Sequence, residues 1–381
     1  MRALLAASLL AWHPLDGLAA ATRPAPPKTP SLDPDGLLLR PGKLSGALQT
    51  YKVRPGDYLN ELGVQFKINP IRITKPNGAT LLDGMEVGEV IQVDLRRVTP
   101  SFPRDLDGLV VNLPEAHVYL LEKGRLVKDY AVGVSNAEHK APIGPTRVVS
   151  LSKNPTWFVP SSIQKEMADQ GREVKRFILP GPENPLGSRW IGFADGTFGF
   201  HGTTMPWSIK RYASHGCVRF LRDDIEDLYD RVRMGMRVRV IYQPVILGVE
   251  GSAIWLSVYP DYYNLGYDYH AAVKQLAKEA GVLARIHAPA LERALRDRDG
   301  IPVNLAPPPP TPPSPRPSRS PRPQMTAPPV LLPASPSLPV SPLPTPTATP
   351  TASPTPTPTP IPSPTPLRPP GYPLYPAPHD G

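Results

Sequence analysis

The 381-residue chain has one cysteine, Cys217, in the run RYASHGCVRF at residues 211–220. A thiol attacks a carbonyl carbon as its thiolate, and at an ordinary pKa only a few per cent is ionised near neutrality. Its neighbours bear on that fraction. His215 lies two residues before Cys217 and Arg219 two residues after. On an extended chain, residues two apart share a face, and a cation on that face favours the thiolate. Gly216 removes a side chain beside the sulfur, so a substrate carbonyl can approach closely. Backbone N–H groups near a nucleophile are the usual material of an oxyanion hole. The proton must go to a base from elsewhere in the fold. His201, in GFHGTTMPW, stands sixteen positions earlier, closes the strand-like run TFGFHG and precedes Gly202. A strand-end imidazole beside a glycine can be held by its own neighbouring backbone and needs only hydrogen-bond reach to the sulfur.

A lone cysteine is most often inert core. Apolar neighbours would suit that role, whereas His201, Gly202, Ser214, His215, Gly216 and Arg219 crowd this one with polar groups and glycines. A zinc site on His201, His215 and Cys217 is the rival constellation. It lacks a fourth ligand of obvious spacing and any paired cysteines. The thiol chemistry itself requires no metal and no organic cofactor.

The N-terminus, MRALLAASLLAWHPLDGLAAATRP, has Arg2, a short apolar run over 3–12 and an A-x-A pattern at Ala19 and Ala21. That is the pattern of a signal peptide over 1–21, with a run too short for a permanent span. No cysteine follows it, so no lipid-modified N-terminus is expected. An exported protein with a single cysteine keeps a free thiol. The net charge of +9 suits anionic surfaces. Without basic clusters interleaved with aromatics, or any nucleic-acid motif, nucleic acid is not expected as a partner.

Several elements must position the thiol. Residues 22–49 read as a linker. Residues 50–97 form a small unit. Tyr51 and Val53 alternate as a strand, Asp57 follows a Pro-Gly turn where it can cap a helix, Leu59, Leu62 and Phe66 recur at helical spacing, and Val90, Ile91 and Val93 return as a strand. Residues 105–245 read as one mostly β domain with a few short helices. It has a hairpin at Lys123-Gly124, a long ordered excursion over 152–188 that includes Trp157, and a helix after Asp223, expected as its cap, with Ile225, Leu228 and Val232 on one face. Residues 246–305 read as a C-terminal appendage with one strand and two helices. Residues 306–381 hold most of the 56 prolines and read as a polyproline-II-like or disordered tail.

HGT at 201–203 followed by SHGCVR at 214–219 resembles the signature of the YkuD-type L,D-transpeptidases. APIGPTRVV, NPTWFVPSSI, GPENPLG and IPVNL are similar to the periplasmic Gram-negative branch, which carries an N-terminal LysM-like unit. Here that unit is 50–97, which resembles LysM in YKVRPGDYL, Phe66 and Asn77-Gly78; LysM modules bind glycans built on N-acetylglucosamine. The resemblance covers residues 50–305. It implies a β-sandwich catalytic domain with short helices. It also implies that Cys217 attacks the diaminopimelate carbonyl of a peptidoglycan tetrapeptide, expelling D-alanine and leaving a thioester for an amine to resolve. His201 would be the base, oriented by backbone carbonyl near Gly202. His215, with the amides of Gly216 and Cys217, would support the oxyanion, and Ser214 would shape the turn. Arg219 would bind a substrate carboxylate or tie the loop to an acid, and Trp157 would line the stem-peptide groove. Implied partners are peptidoglycan stem peptides and glycan strands, with an outer-membrane lipoprotein as one acceptor. The acceptor could equally be a diaminopimelate amine, a D-amino acid or water. Two further readings stand beside this one: a thiol hydrolase cutting murein–lipoprotein links, and a non-catalytic wall-binding protein.

Overall fold

Strands dominate because β-branched and aromatic residues recur in short runs between glycine-bearing turns. The structure, a computed structural model, describes residues 39–81 and 84–308. The expected signal peptide, the first part of the expected linker and nearly all of the proline-rich tail lie outside the described residues.

In chain order come β1 (Arg40–Ser45), β2 (Leu48–Lys52), α1 (Leu59–Gln65), α2 (Ile71–Thr74), β3 (Val90–Asp94) and β4 (Arg97–Ser101). Then follow β5 (Gly108–Asn112), β6 (His117–Glu122), β7 (Arg125–Ala131), β8 (Val134–Ser135), β9 (Gly144–Lys153), β10 (Trp157–Phe158), α3 (Ser161–Asp169) and β11 (Phe177–Ile178). Next are β12 (Arg189–Phe193), β13 (Phe198–His201), β14 (Tyr212–Ser214), β15 (Val218–Arg219), α4 (Arg222–Arg231) and β16 (Arg237–Ile241). The described chain ends with β17 (Val245–Glu250), β18 (Ala253–Val258), α5 (Tyr269–Glu279), α6 (Ala288–Asp297) and β19 (Val303–Asn304).

The main sheet has eight strands in the order β15-β13-β12-β9-β16-β5-β6-β7. Its core face carries Leu109, Val111, Val118, Ile191, Phe200, Val218, Val238 and Val240, with Ile225 and Leu228 of α4 in the same apolar cluster. The hairpin between β6 and β7 turns at Lys123 and Gly124, both at positive φ (50° and 72°). This is the backbone that two-residue hairpin loops use. The domain is thus mostly β with short helices. Asp223 lies in the first turn of α4 and does not cap it; the N-cap position is Leu221, with no side-chain bond.

A second sheet runs β19-β18-β17-β1-β4. It corrects the expected linker over 22–49, because residues 40–45 are β1, parallel to β17 and antiparallel to β4. Gly42 makes this pairing possible, since a Cβ there would lie 1.9 Å from the Thr99 carbonyl oxygen. The segment expected as an appendage is likewise built in. Leu247, Leu256, Val273, Leu276 and Leu295 share one apolar cluster with the main sheet.

Residues 46–96 rise from the β1/β4 pair as a β–α–α–β unit. In it β2 pairs antiparallel with β3, over a core of Val53, Leu62, Ile73, Ile91 and Val93. Asp57 does not cap α1. Its Oδ2 instead accepts from Arg54 N and Tyr51 OH. The unit is tied to the main domain by Lys67 Nζ on both oxygens of Asp224 at 2.7 Å and by Arg211 on Asn60 Oδ1 at 2.6 Å.

Candidate active site

Strand register sets the geometry. β13 and β15 run parallel at the sheet edge, with Phe200 opposite Val218 and His201 opposite Arg219. Phe200 and Val218 point into the core, both fully buried. Alternation therefore sends His201 and Arg219 to the other face. Cys217 lies in the bend just before β15, with its Sγ at the Thr197 carbonyl and the Gly199 backbone, the segment that leads through β13 to His201. The positions that link the two strands are fixed by glycine. Gly216 has φ +110°, and a Cβ on it would meet Phe198 Cε1 at 2.7 Å. Gly202 packs backbone-to-backbone on Gly187, where a Cβ would lie 2.9 Å from the Gly202 Cα.

His201 is buried, and its Nδ1 lies 2.6 Å from the Gly202 carbonyl oxygen. A carbonyl can only accept, so Nδ1 carries the proton and Nε2 the lone pair. Burial, with Arg219 nearby, pushes His201 down to about 4, against the opposing pull of the Gly202 and Pro185 carbonyls. Cys217 is half-buried. Its Sγ reaches the Thr197 carbonyl oxygen at 4.0 Å. Burial pushes the thiol up to about 11, while a hydrogen bond from the Gly199 backbone and the charge of Arg219 pull the other way. The resting pair is therefore a neutral thiol and a neutral imidazole, and the sulfur's hydrogen bond runs to Thr197.

The remaining sequence-derived residues fall around this pair. Ser214 Oγ donates to the Cys217 carbonyl and closes the turn. Arg219 exchanges backbone hydrogen bonds with Gly133 (2.8 and 2.9 Å), which fixes β15 against the connection between β7 and β8. His215 Nε2 lies 3.0 Å from Glu166 Oε2 on α3, inside the excursion. Trp157 sits on a two-stranded ribbon in the same excursion, paired with Ile178. Among the described residues, no group of three His, Cys, Asp or Glu side chains has metal-holding geometry.

Residues 107–240 match the family model for the YkuD L,D-transpeptidase catalytic domain. The chain carries a YkuD-type L,D-transpeptidase domain. It is similar to the protein named probable L,D-transpeptidase ErfK/SrfK of Salmonella typhimurium, 27% identical over 228 residues, covering 58% of this chain and 73% of the relative. It is also similar to the protein named probable L,D-transpeptidase YcfS of Escherichia coli, 31% identical over 169 residues, covering 43% of this chain and 52% of the relative. Among solved structures, that of the L,D-transpeptidase from Xylanimonas cellulosilytica (residues 123–326) covers 51% of this chain and 98% of its own, at 18% identity and a TM-score of 0.30.

Four side chains of the transpeptidase domain escaped sequence reasoning. Trp190 is the cross-strand partner of His201, and its indole stacks on the imidazole. Glu166 and His139 both meet His215, the histidine rings lying 4.2 Å apart. Asn184 is fully buried; its Nδ2 donates to the carbonyls of Pro155, Ile178 and Leu179, and its Oδ1 accepts from Leu186 N. It gathers the base of the excursion beside Gly187. The alternation of β12 and β13 could have found Trp190, since both strands were legible. Nothing local to Glu166 or His139 marks either of them.

Proposed function

We propose that this domain acts on peptidoglycan stem tetrapeptides through a thioester on Cys217, with His201 as the base. The observation that supports the reading is the parallel register of β13 and β15, which sets His201 beside Arg219, two residues after Cys217, with the His201 Nδ1–H tied to the Gly202 carbonyl. In the first step Sγ bonds to the diaminopimelate carbonyl carbon as its proton passes to Nε2 of His201. The tetrahedral intermediate then expels D-alanine, which leaves with that proton. In the second step an amine attacks the thioester, the C–S bond breaks, and sulfur recovers a proton through His201. A thioester keeps the acyl group activated, so a new amide forms at the expense of an old one without ATP. A neutral resting thiol fits this scheme, because proton transfer then accompanies attack and does not precede it. Gly216 and the backbone N–H groups around Cys217 supply room and donors for the oxyanion.

The finer parts of the proposal follow from the family. The enzyme works in the periplasm after signal-peptide removal. The unit at 46–96 serves as a LysM-like glycan-binding module, and the acceptor is a diaminopimelate amine or a lipoprotein lysine. Water as acceptor would make the enzyme a hydrolase.

Incubation of the purified protein with a defined tetrapeptide tests the scheme. Wild type releases D-alanine and gains the tripeptide acyl mass on Cys217, and Cys217→Ala does neither. A carbapenem adds its mass to wild type and not to Cys217→Ala. D-alanine release by Cys217→Ala, or an unchanged wild-type mass with both reagents, would falsify the proposal.

A further inference from the structure

The transfer reaction needs two deprotonations, one of the thiol and one of the ammonium group that becomes the acceptor. His201 accounts for the first. A second imidazole, His215, stands two residues before the nucleophile, and its Nε2–H, expected to support the oxyanion, is turned to Glu166 instead. His215 Nε2 lies 3.0 Å from Glu166 Oε2. A carboxylate oxygen accepts, so the ring proton sits on Nε2 and Nδ1 keeps the lone pair. This is the arrangement in which a carboxylate orients a histidine and stabilises its cation. Glu166 comes from α3, 49 residues earlier in the chain. The third member is His139, from the loop between β8 and β9. Its ring lies 4.2 Å from that of His215, and its Nδ1 faces Asn136 Oδ1 at 3.1 Å.

We propose that Glu166 and His215 form the acceptor subsite: Glu166 attracts a primary ammonium group, and His215 removes its proton before attack on the thioester. The inference rests on the thioester reading above. In the proton balance, R–NH3+ gives one proton to His215 Nδ1, and the free amine attacks the acyl carbon. The second N–H proton passes through His201 to sulfur as the C–S bond breaks, and His215 returns its proton to water. The groups facing His215 suit this role. Burial, His139 and Arg219 hold it below its ordinary value, and Glu166 opposes them. The ring is therefore a free base at neutral pH, and a carboxylate stands ready for the cation. Both side chains are accessible to an incoming amine, His215 at 28% and Glu166 at 38% of their full exposure.

The test uses the full chain, a tetrapeptide donor and two acceptors: D-methionine, protonated at neutral pH, and hydroxylamine, largely unprotonated there. Glu166→Gln should lower transfer to D-methionine by about 10²-fold, the usual scale for loss of a positioned base. Transfer to hydroxylamine and the first-turnover burst of D-alanine, read without acceptor, should each change by less than about threefold on that scale, and Glu166→Asp should restore part of the D-methionine rate. Equal losses with both acceptors would mean that Glu166 only holds α3 in place, and would overturn the proposal. An unchanged D-methionine rate would overturn it too. If wild type forms no acyl-enzyme with the tetrapeptide, the thioester reading fails first, and this one with it.

Discussion

The indole of Trp190 lies nearly parallel to the imidazole of His201, with ring centroids 6.0 Å apart and planes at 21°. The two residues are cross-strand partners. Trp190 Nε1–H is anchored on Ser150 Oγ at 3.1 Å, and the indole covers Gly199, where a Cβ would lie 2.5 Å from the ring. One face of His201 is thus walled by an aromatic plane whose position two neighbours fix. Trp190→Ala should lower kcat for D-alanine release by about 10²-fold with a smaller change in KM, because a base displaced by an ångström loses catalysis on that scale. Trp190→Phe keeps a ring in place and should retain most of the activity. Gly199→Ala forces the indole away, so its loss should not add to that of Trp190→Ala in the double variant.

The ionisation of His201 gives a pH profile. The ring works as a base only when neutral, and it is held down to about 4. The acylation rate should therefore stay level as pH falls through 6.5 and drop only near pH 4. Stopped-flow carbapenem acylation across pH 3.5–8 reads this directly. An acid limb centred at 6.5 would mean that His201 is not the base, or is not buried in solution.

Gly216 allows another prediction. Its φ of +110° and the 2.7 Å approach of Phe198 leave no place for a methyl group. Gly216→Ala should cost about 1–3 kcal/mol of stability, the range for a side chain forced into such backbone. It should also shift the sulfur, so that loss of acylation exceeds what the unfolded fraction explains. Urea denaturation and carbapenem labelling of the same sample separate the two effects.

Lys210 should make stability depend on alkaline pH. Arg97 Nη1 lies 2.6 Å from His117 Nε2, and Lys210 Nζ lies 2.8 Å from His117 Nδ1. His117 Nε2 also lies 3.3 Å from Asp129 Oδ1, and the amine beside the ring is desolvated with the Arg97 charge nearby. Burial accordingly brings Lys210 down from 10.5 to about 7. Between these values the unfolded chain binds the extra proton, so stability rises with pH from 7 to 10.5 and is level below 7 for this group. Urea midpoints at pH 7 and 9.5 should therefore differ in that sense in wild type, and the difference should shrink in Lys210→Met.

Asn184 holds the excursion with four hydrogen bonds from a fully buried side chain. Asn184→Ala leaves several carbonyls unpaired and should cost about 2–3 kcal/mol. Proteolysis within 155–187 should accelerate before global unfolding is detected.

The sequence disclosed the strands of the main sheet, because their alternation is local, and it singled out Cys217 and His201 as candidates, because glycine and histidine next to a solitary thiol are poor core. The Gly202 carbonyl as the partner of His201 was legible for the same reason. Long-range pairing was not. Nothing in residues 40–45 announces a parallel partner 206 positions later at Gly248, and proline and glycine made the segment look like linker. Glu166 escaped because a glutamate on an exposed helix is ordinary until the fold folds it back on His215. The caps expected at Asp57 and Asp223 failed because other neighbours claimed the first carboxylate and the helix begins one residue ahead of the second.

The β1/β4 pair has one more implication. Ser45 faces Arg97 at its far end, so everything from 46 to 96 hangs on a two-stranded stalk and not on a single tether. Such a head is held both by its stem and by Lys67 on Asp224, Arg72 on the Gly300 carbonyl and Lys75 on Asp297, which restricts the arc through which it can present a polymer to the sulfur. It can also be cut away: a short β-turn bridging Ser45 and Arg97 would close the stalk and leave the second sheet its full complement of strands, giving a headless enzyme for comparison with the intact one on whole sacculi.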